Sequence, residues 1–112
     1  MRMVYLAHPY GGDPDNLKRA LRWFTWVARN YRDVAPVMDW HLMCQVLEEN
    51  VLNREYGLEC DIEIARRCDE IWLVGGRVSA GMKRESAGHP CVRDLTALGF
   101  EPPKEPIEDP SK

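Results

Sequence analysis

Glu85 is the acid in this chain whose neighbours are best suited to holding a ligand beside it. It closes the stretch Glu70-Ile71-Trp72-Leu73-Val74-Gly75-Gly76-Arg77-Val78-Ser79-Ala80-Gly81-Met82-Lys83-Arg84-Glu85. Ile71 to Val74 form an unbroken apolar run, as a strand buried on both faces of a parallel sheet requires. Gly75, Gly76 and Gly81 let backbone N–H groups come close to an anion, and Ser79 adds a hydroxyl. Glu85 falls just past this loop, on what should be the next helix. Two readings stand side by side. In one, the loop forms a nucleotide-type pocket with Glu85 as the reactive group; in the other, it is a plain strand–turn–helix connection and Glu85 is solvated.

Other residues are less set apart. Asp39-Trp40-His41 follows a second apolar segment, where the C-terminal ends of strands often carry function in open α/β sheets. His41 reads either as a catalytic base or as a polar residue at a helix start. Asp61 sits near the edge of an apolar helix face and is not selected by its own surroundings, because a carboxylate there is ordinarily solvated. Arg77, Lys83 and Arg84 can offset an anion's charge or lie free on the surface. The four cysteines, Cys44, Cys60, Cys68 and Cys91, make no CxxC pair and have no histidine at zinc spacing. They read as reduced thiols in a cytoplasmic protein, with no metal site, and no signal peptide is recognised.

Elements must bring such residues together. Met3 to Ala7 predicts a first strand running into the turn His8-Pro9-Tyr10-Gly11-Gly12. Asp13 is a candidate N-cap with Pro14 at the first helical position, opening a helix to about Asn30. Leu17, Ala20, Leu21, Phe24, Val27, Ala28 and Tyr31 recur at three and four and define its expected buried face. Trp23 and Trp26 lie off that stripe, so they are expected on the outside as a subunit contact. Val34 to Met38 predicts a second strand, and His41 to Leu52 a helix. Asn53 to Gly57 reads as a connection and Leu58 to Arg67 as a further helix. After the third strand, Gly88-His89-Pro90 cuts the Glu85 helix to about one turn. Cys91-Val92 is a candidate last strand, and Leu95 to Gly99 a turn of helix or a loop. This order implies an α/β fold: a small Rossmann-like or flavodoxin-like three-layer domain with a parallel sheet of about four to five strands. It occupies residues 1–100. Residues 101–112 are proline-rich and charged, and are expected to be extended or disordered and to bury nothing.

At 112 residues the chain is one domain. Its formal net charge of −3 argues against a broad surface for a nucleic-acid polymer, while leaving a small anionic ligand open. No apolar run approaches the ~20 residues of a membrane helix.

Four segments, in this order, resemble the nucleoside 2-deoxyribosyltransferase-like superfamily, which includes deoxynucleoside 5′-monophosphate N-glycosidases. They are Tyr5-Leu6-Ala7-His8-Pro9-Tyr10, Gly57-Leu58-Glu59-Cys60-Asp61, Cys68-Asp69-Glu70-Ile71-Trp72-Leu73 and Ser79-Ala80-Gly81-Met82-Lys83-Arg84-Glu85. The resemblance runs from about Met1 to Phe100 and is closest to small members. It implies cleavage of an N-glycosidic bond, by hydrolysis or by transfer to another base, with no metal or organic cofactor. It gives Glu85 the place of the nucleophile, Asp61 that of the acid facing the base, and Tyr5 that of the residue orienting the nucleophile. Ser79 and Gly81 match loop positions that hold a 5′-phosphate, which tilts the substrate towards a nucleoside 5′-monophosphate. His8, Pro9, Tyr10, Gly11, Trp40, Gly75, Gly76 and Met82 complete the expected binding set. A homodimer or higher homo-oligomer is implied as well. Two departures stand out: the shortened helix after Glu85, which could misplace that carboxylate, and His8, where a small residue is usual. A protein keeping the fold with its catalysis lost would be a nucleotide sensor or sequestering module.

Overall fold

The computed structural model describes residues 1–112. Four strands, β1 (Arg2–Ala7), β2 (Val34–Val37), β3 (Glu70–Leu73) and β4 (Val92–Asp94), form one sheet in the order β2-β1-β3-β4. Every pairing is parallel, with Tyr5 opposite Val37 on one side and Ile71 on the other. Helix α1 (Pro14–Asn30) joins β1 to β2; α2 (Asp39–Val46) and α3 (Val51–Arg67) join β2 to β3; α4 (Ala80–Ser86) joins β3 to β4. The chain is thus the small three-layer α/β domain that the alternation of elements predicts. It steps from β1 outward to β2, then returns past β1 to β3. That reversal opens a crevice beyond the C-terminal ends of the central strands.

The pleat divides the core in two. Val4, Leu6, Trp72 and Val74 pack on one face with Trp23, Trp26, Val27 and Tyr31 of the α1 layer. Tyr5, Ala7, Ile71 and Leu73 pack on the other with Trp40, Ala65, Cys68 and Met82 from α2, α3 and α4. Asp13 caps α1 as its sequence predicts, accepting the Asp15 N–H at 2.9 Å, with Pro14 in the first turn.

Three expectations are corrected. Trp23 and Trp26 are buried core residues rather than an outer face, and Leu21 is the exposed one. The inward face is the predicted stripe widened on one side: Ala20, Val27 and Tyr31 are buried along with the two tryptophans. The indole N–H of Trp23 donates to the Phe100 carbonyl at 2.9 Å, and Trp26 stands edge-on between Trp23 and Tyr31. These tryptophans are therefore not available to a partner subunit. Secondly, the break between the two helices before β3 falls at residues 47–50, not 53–57. Asn50 caps α3 by accepting the Asn53 N–H at 2.8 Å, and Gly57 is carried inside the helix. Thirdly, residues 101–112 lack helix and strand but are docked. Ile107 packs against the α1-side core and the Tyr31 hydroxyl donates to its carbonyl at 2.8 Å. Arg2, also paired with Glu70 at 2.9 Å, forms an ion pair with Asp109, and Ser111 bonds Glu70. Asp69 ties the strand entrances together by accepting the Met3 N–H at 2.8 Å.

Candidate active site

The crevice is a cleft of about 440 Å³ lined by the loop after β1 and by the α2, α3 and α4 segments. The loop after β1 contributes His8, Tyr10, Gly11 and Gly12; α2 contributes Trp40, Met43 and Cys44. The 47–50 turn and the cleft face of α3 contribute Leu47, Glu48, Glu49, Asn53, Arg54, Gly57, Leu58 and Asp61, and α4 contributes Ala80, Gly81, Arg84 and Glu85. Gly57 and Asp61 share a face because they stand four apart on one helix.

Glu85 is delivered by α4, which has only seven residues. Ser79 nonetheless starts that helix firmly: its Oγ accepts the Met82 N–H at 3.3 Å, and the buried Met82 side chain pins the turn to the core. Glu85 thereby meets Tyr5, whose hydroxyl donates to its Oε2. Tyr5 is fully buried in the central strand, so the carboxylate is held from behind by the sheet. Burial pushes the Glu85 carboxyl up to about 7; the Tyr5 hydrogen bond acts the other way, and the charge on Asp39 adds to the rise. Burial and the nearby charges of Glu85 and Asp61 raise the Tyr5 phenol far above its ordinary range, so it remains a donor.

Asp61 titrates higher still. Burial, then hydrogen bonding to and repulsion by Asp39, carry its carboxyl to about 9. Both oxygens of Asp39 and Oδ1 of Asp61 are buried without a protein donor. The cleft therefore holds two carboxyls with separated protonation: one that ionises near neutrality, and one that keeps its proton. Such a split is how one site provides a base or nucleophile and an acid at the same pH.

The aromatic wall is ordered. His8 stacks on Trp40 with ring centroids 6.3 Å apart, and Tyr10 tilts against the same indole at 6.3 Å. The Trp40 N–H donates to the Leu6 carbonyl at 3.0 Å, which fixes the platform to β1. Nδ1 of His8 lies 2.7 Å from the Pro9 carbonyl, and burial lowers its pKa, so the ring is neutral with its proton directed to that carbonyl. Arg84 makes no ion pair within the chain, whereas Arg54 pairs with Glu49.

Of the expected site residues, the structure brings Tyr5, Asp61, Glu85, His8, Tyr10, Gly11, Trp40 and Gly81 together at this cleft. Pro9, Gly75, Gly76, Ser79 and Met82 stand outside its lining and have packing duties instead. Gly75 has φ +101°, and a Cβ there would lie 2.5 Å from the His8 ring. Gly76 has φ +86°, with a Cβ blocked by Phe100 at 2.7 Å. The Ser79 hydroxyl is engaged as a cap. His41 also points away: its Nε2 lies 2.9 Å from the Leu17 carbonyl, linking α2 to α1. The sequence reading put Asp39 at a strand exit and Arg84 beside a possible anion without choosing either as a site residue, and it read Gly57 as part of a connection. The available signals were the place of Asp39 at the exit of β2 and the four-residue spacing of Gly57 from Asp61.

No group of three or more histidine, cysteine, aspartate or glutamate side chains is arranged to hold a metal ion. No helix is long and apolar enough to cross a membrane. No curated protein and no solved structure matches the chain. A family model does, over residues 2–89, a span that contains β1 to α4 and with them Tyr5, Asp39, Asp61 and Glu85. The chain belongs to that family, DUF7768, described as a domain of unknown function.

Proposed function

We propose that this protein cleaves the N-glycosidic bond of a nucleoside or nucleoside 5′-monophosphate, by hydrolysis or by transfer of the sugar to another base. The observation that carries the reading is the meeting of Glu85, held by Tyr5, with Asp61 in one cleft. The sequence resemblance to the deoxyribosyltransferase-like superfamily assigns the same three residues the same parts.

The chemistry follows from their states. Tyr5 engages Oε2 of Glu85, leaving Oε1 to attack C1′ of the sugar. As that bond forms, the C1′–N bond breaks and its electron pair goes to the base. The Asp61 proton passes to the base nitrogen, so the base leaves neutral. Water or a second base then attacks C1′ of the glycosyl ester; its proton goes to the Asp61 carboxylate, and the bond from C1′ to Oε1 breaks to free Glu85 as an anion. Trp40, His8 and Tyr10 form the stacking wall for the base. Arg84, unpaired at the wall beside Gly81, suits a 5′-phosphate.

Incubation with a panel of ribo- and deoxyribonucleosides and their 5′-monophosphates, with and without a free acceptor base, tests the reading by chromatography. Release of base is expected from the wild type and not from Glu85→Gln. A new nucleoside in the presence of acceptor marks transfer. Saturable binding with no product from any substrate would replace the enzyme reading with a nucleotide-binding module.

A further inference from the structure

We infer that Asp39 is a positioning residue that keeps Asp61 loaded with its proton, by accepting that proton in a hydrogen bond between two buried carboxyls. The inference deepens the glycosidase reading and rests on it for the proton's destination. Its structural ground is independent of any substrate. Both oxygens of Asp39 and one of Asp61 are buried with no protein donor. The titratable groups around them are Tyr5 from β1, Cys44 from α2, Cys68 at the end of α3 and Glu85 from α4. None is a cation. The Tyr5 hydroxyl is committed to Glu85, and burial raises both thiols. Two adjacent anions without a cation are too costly to bury, so the pair holds one proton between them.

Helix geometry decides which partner holds it. Asp39 occupies the first turn of α2, where unpaired backbone N–H groups favour an anion. Asp61 sits in the interior of α3 and has no such help. The proton therefore resides on Asp61, facing the cleft, with Asp39 as the ionised acceptor behind it. The reaction then conserves charge within the cluster. Before attack, Glu85 and Asp39 are anionic; after it, Glu85 is a neutral ester and the Asp39–Asp61 pair is transiently without its proton, which it regains from the attacking water or base in the next step. Loss of the negative charge on Glu85 is what eases release of the Asp61 proton to the base.

The test is an NMR titration of protein carrying 13C-labelled aspartate carboxyls, alongside the pH dependence of kcat/KM. In the wild type one aspartate carboxyl titrates in the alkaline range. In Asp39→Asn, whose amide can donate to an ionised Asp61, that titration moves to lower pH, while the burial of Asp61 still holds it above the ordinary carboxylate range. The alkaline limb of kcat/KM falls with it, and activity at pH ~8 drops by about 10²-fold or more. The acid limb moves down as well, because the charge of Asp39 also bears on Glu85. Asp61→Asn gives the reciprocal reading should Asp39→Asn not fold: the alkaline titration vanishes. Absence of an alkaline-titrating aspartate in the wild type, an unmoved titration in Asp39→Asn, or its persistence in Asp61→Asn overturns the assignment. Titration reads the pair and base release reads the glycosidase function, so each can fail without the other.

Discussion

At the scale of single residues, the Glu85 carboxyl is the resultant of opposed effects. Burial raises its pKa, the Tyr5 hydrogen bond lowers it, and the Asp39 charge raises it again, leaving it at about 7. A nucleophile must be ionised and an acid must be protonated, which fixes the pH profile. The expected kcat/KM curve is a bell, with an acid limb near the Glu85 value of about 7 and an alkaline limb near the Asp61 value of about 9. Tyr5→Phe removes the donor that favours the anion, so its acid limb moves to higher pH, measurable in the same rate series. Arg84→Ala separates the two substrate classes. KM for a 5′-monophosphate rises about tenfold or more, the loss of a charge-assisted hydrogen bond, while KM for the nucleoside is unchanged.

At the scale of elements, α4 and α3 divide the work. The helix after the third strand is as short as Gly88-His89-Pro90 requires, yet Glu85 is in place. Bracing comes from the Ser79 cap, the buried Met82 and the Tyr5 hydroxyl rather than from helix length. Helix α3 carries Asp61 and, one turn earlier, a glycine that lines the cleft. A Cβ at Gly57 would meet nothing within 4 Å, so the protein fills the space in no other way. Gly57→Ala is expected to stabilise the fold by about 0.5–1 kcal/mol through helix propensity. Gly57→Leu projects into the cleft and abolishes nucleotide binding with no fall in melting temperature. Thermal melts and calorimetric titration of a monophosphate check both. Gly57 did not stand out in the chain, and Asp39 stood out by its place after β2 but not by its chemistry. A helix glycine reads locally as a break, and a carboxylate reads locally as solvated.

At the scale of the whole molecule, the terminal segment closes the end of the sheet opposite the cleft. Asp109 and Ser111 satisfy Arg2 and Glu70, and Ile107 covers the Tyr31 side of the core. Truncation after Glu105 is expected to cost about 1–3 kcal/mol, seen as a lower denaturant midpoint, without loss of the cleft residues. Stability should also depend on pH with a definite sign. Glu85 and Asp61 have folded pKa values of about 7 and about 9 against reference values of 4.5 and 3.8. The folded state therefore holds protons that the unfolded state has released. Their contribution is complete below about pH 4 and is lost as pH rises to about 9. Glu70 and Asp109 are shifted the other way. For Glu70, burial is outweighed by bonds from Ser111, Trp72 and Arg2; for Asp109 the Arg2 bond dominates. They lose stability as pH falls through the acidic range. Melting temperature should peak between the two regimes, near about pH 5, and decline towards pH 9, with Asp61→Asn flattening the alkaline decline.

The local elements and their order were legible in the chain before any packing was known. The Asp13–Pro14 helix start, the apolar run Ile71 to Val74, and the alternation of strands and helices lead to a parallel sheet with its crevice at the strand ends. These are short-range signals, set by backbone geometry and capping. Packing alone shows how wide the inward face of α1 is: it keeps Ala20, Val27 and Tyr31 of the predicted stripe, adds Trp23 and Trp26, and leaves Leu21 exposed. It alone docked the proline-rich end, whose partners Arg2, Tyr31 and Glu70 are remote in the chain. It alone joined Tyr5 to Glu85 across 80 residues and set Asp39 against Asp61. A carboxyl's protonation depends on the water it has lost and the charges around it, and both are properties of the packed molecule.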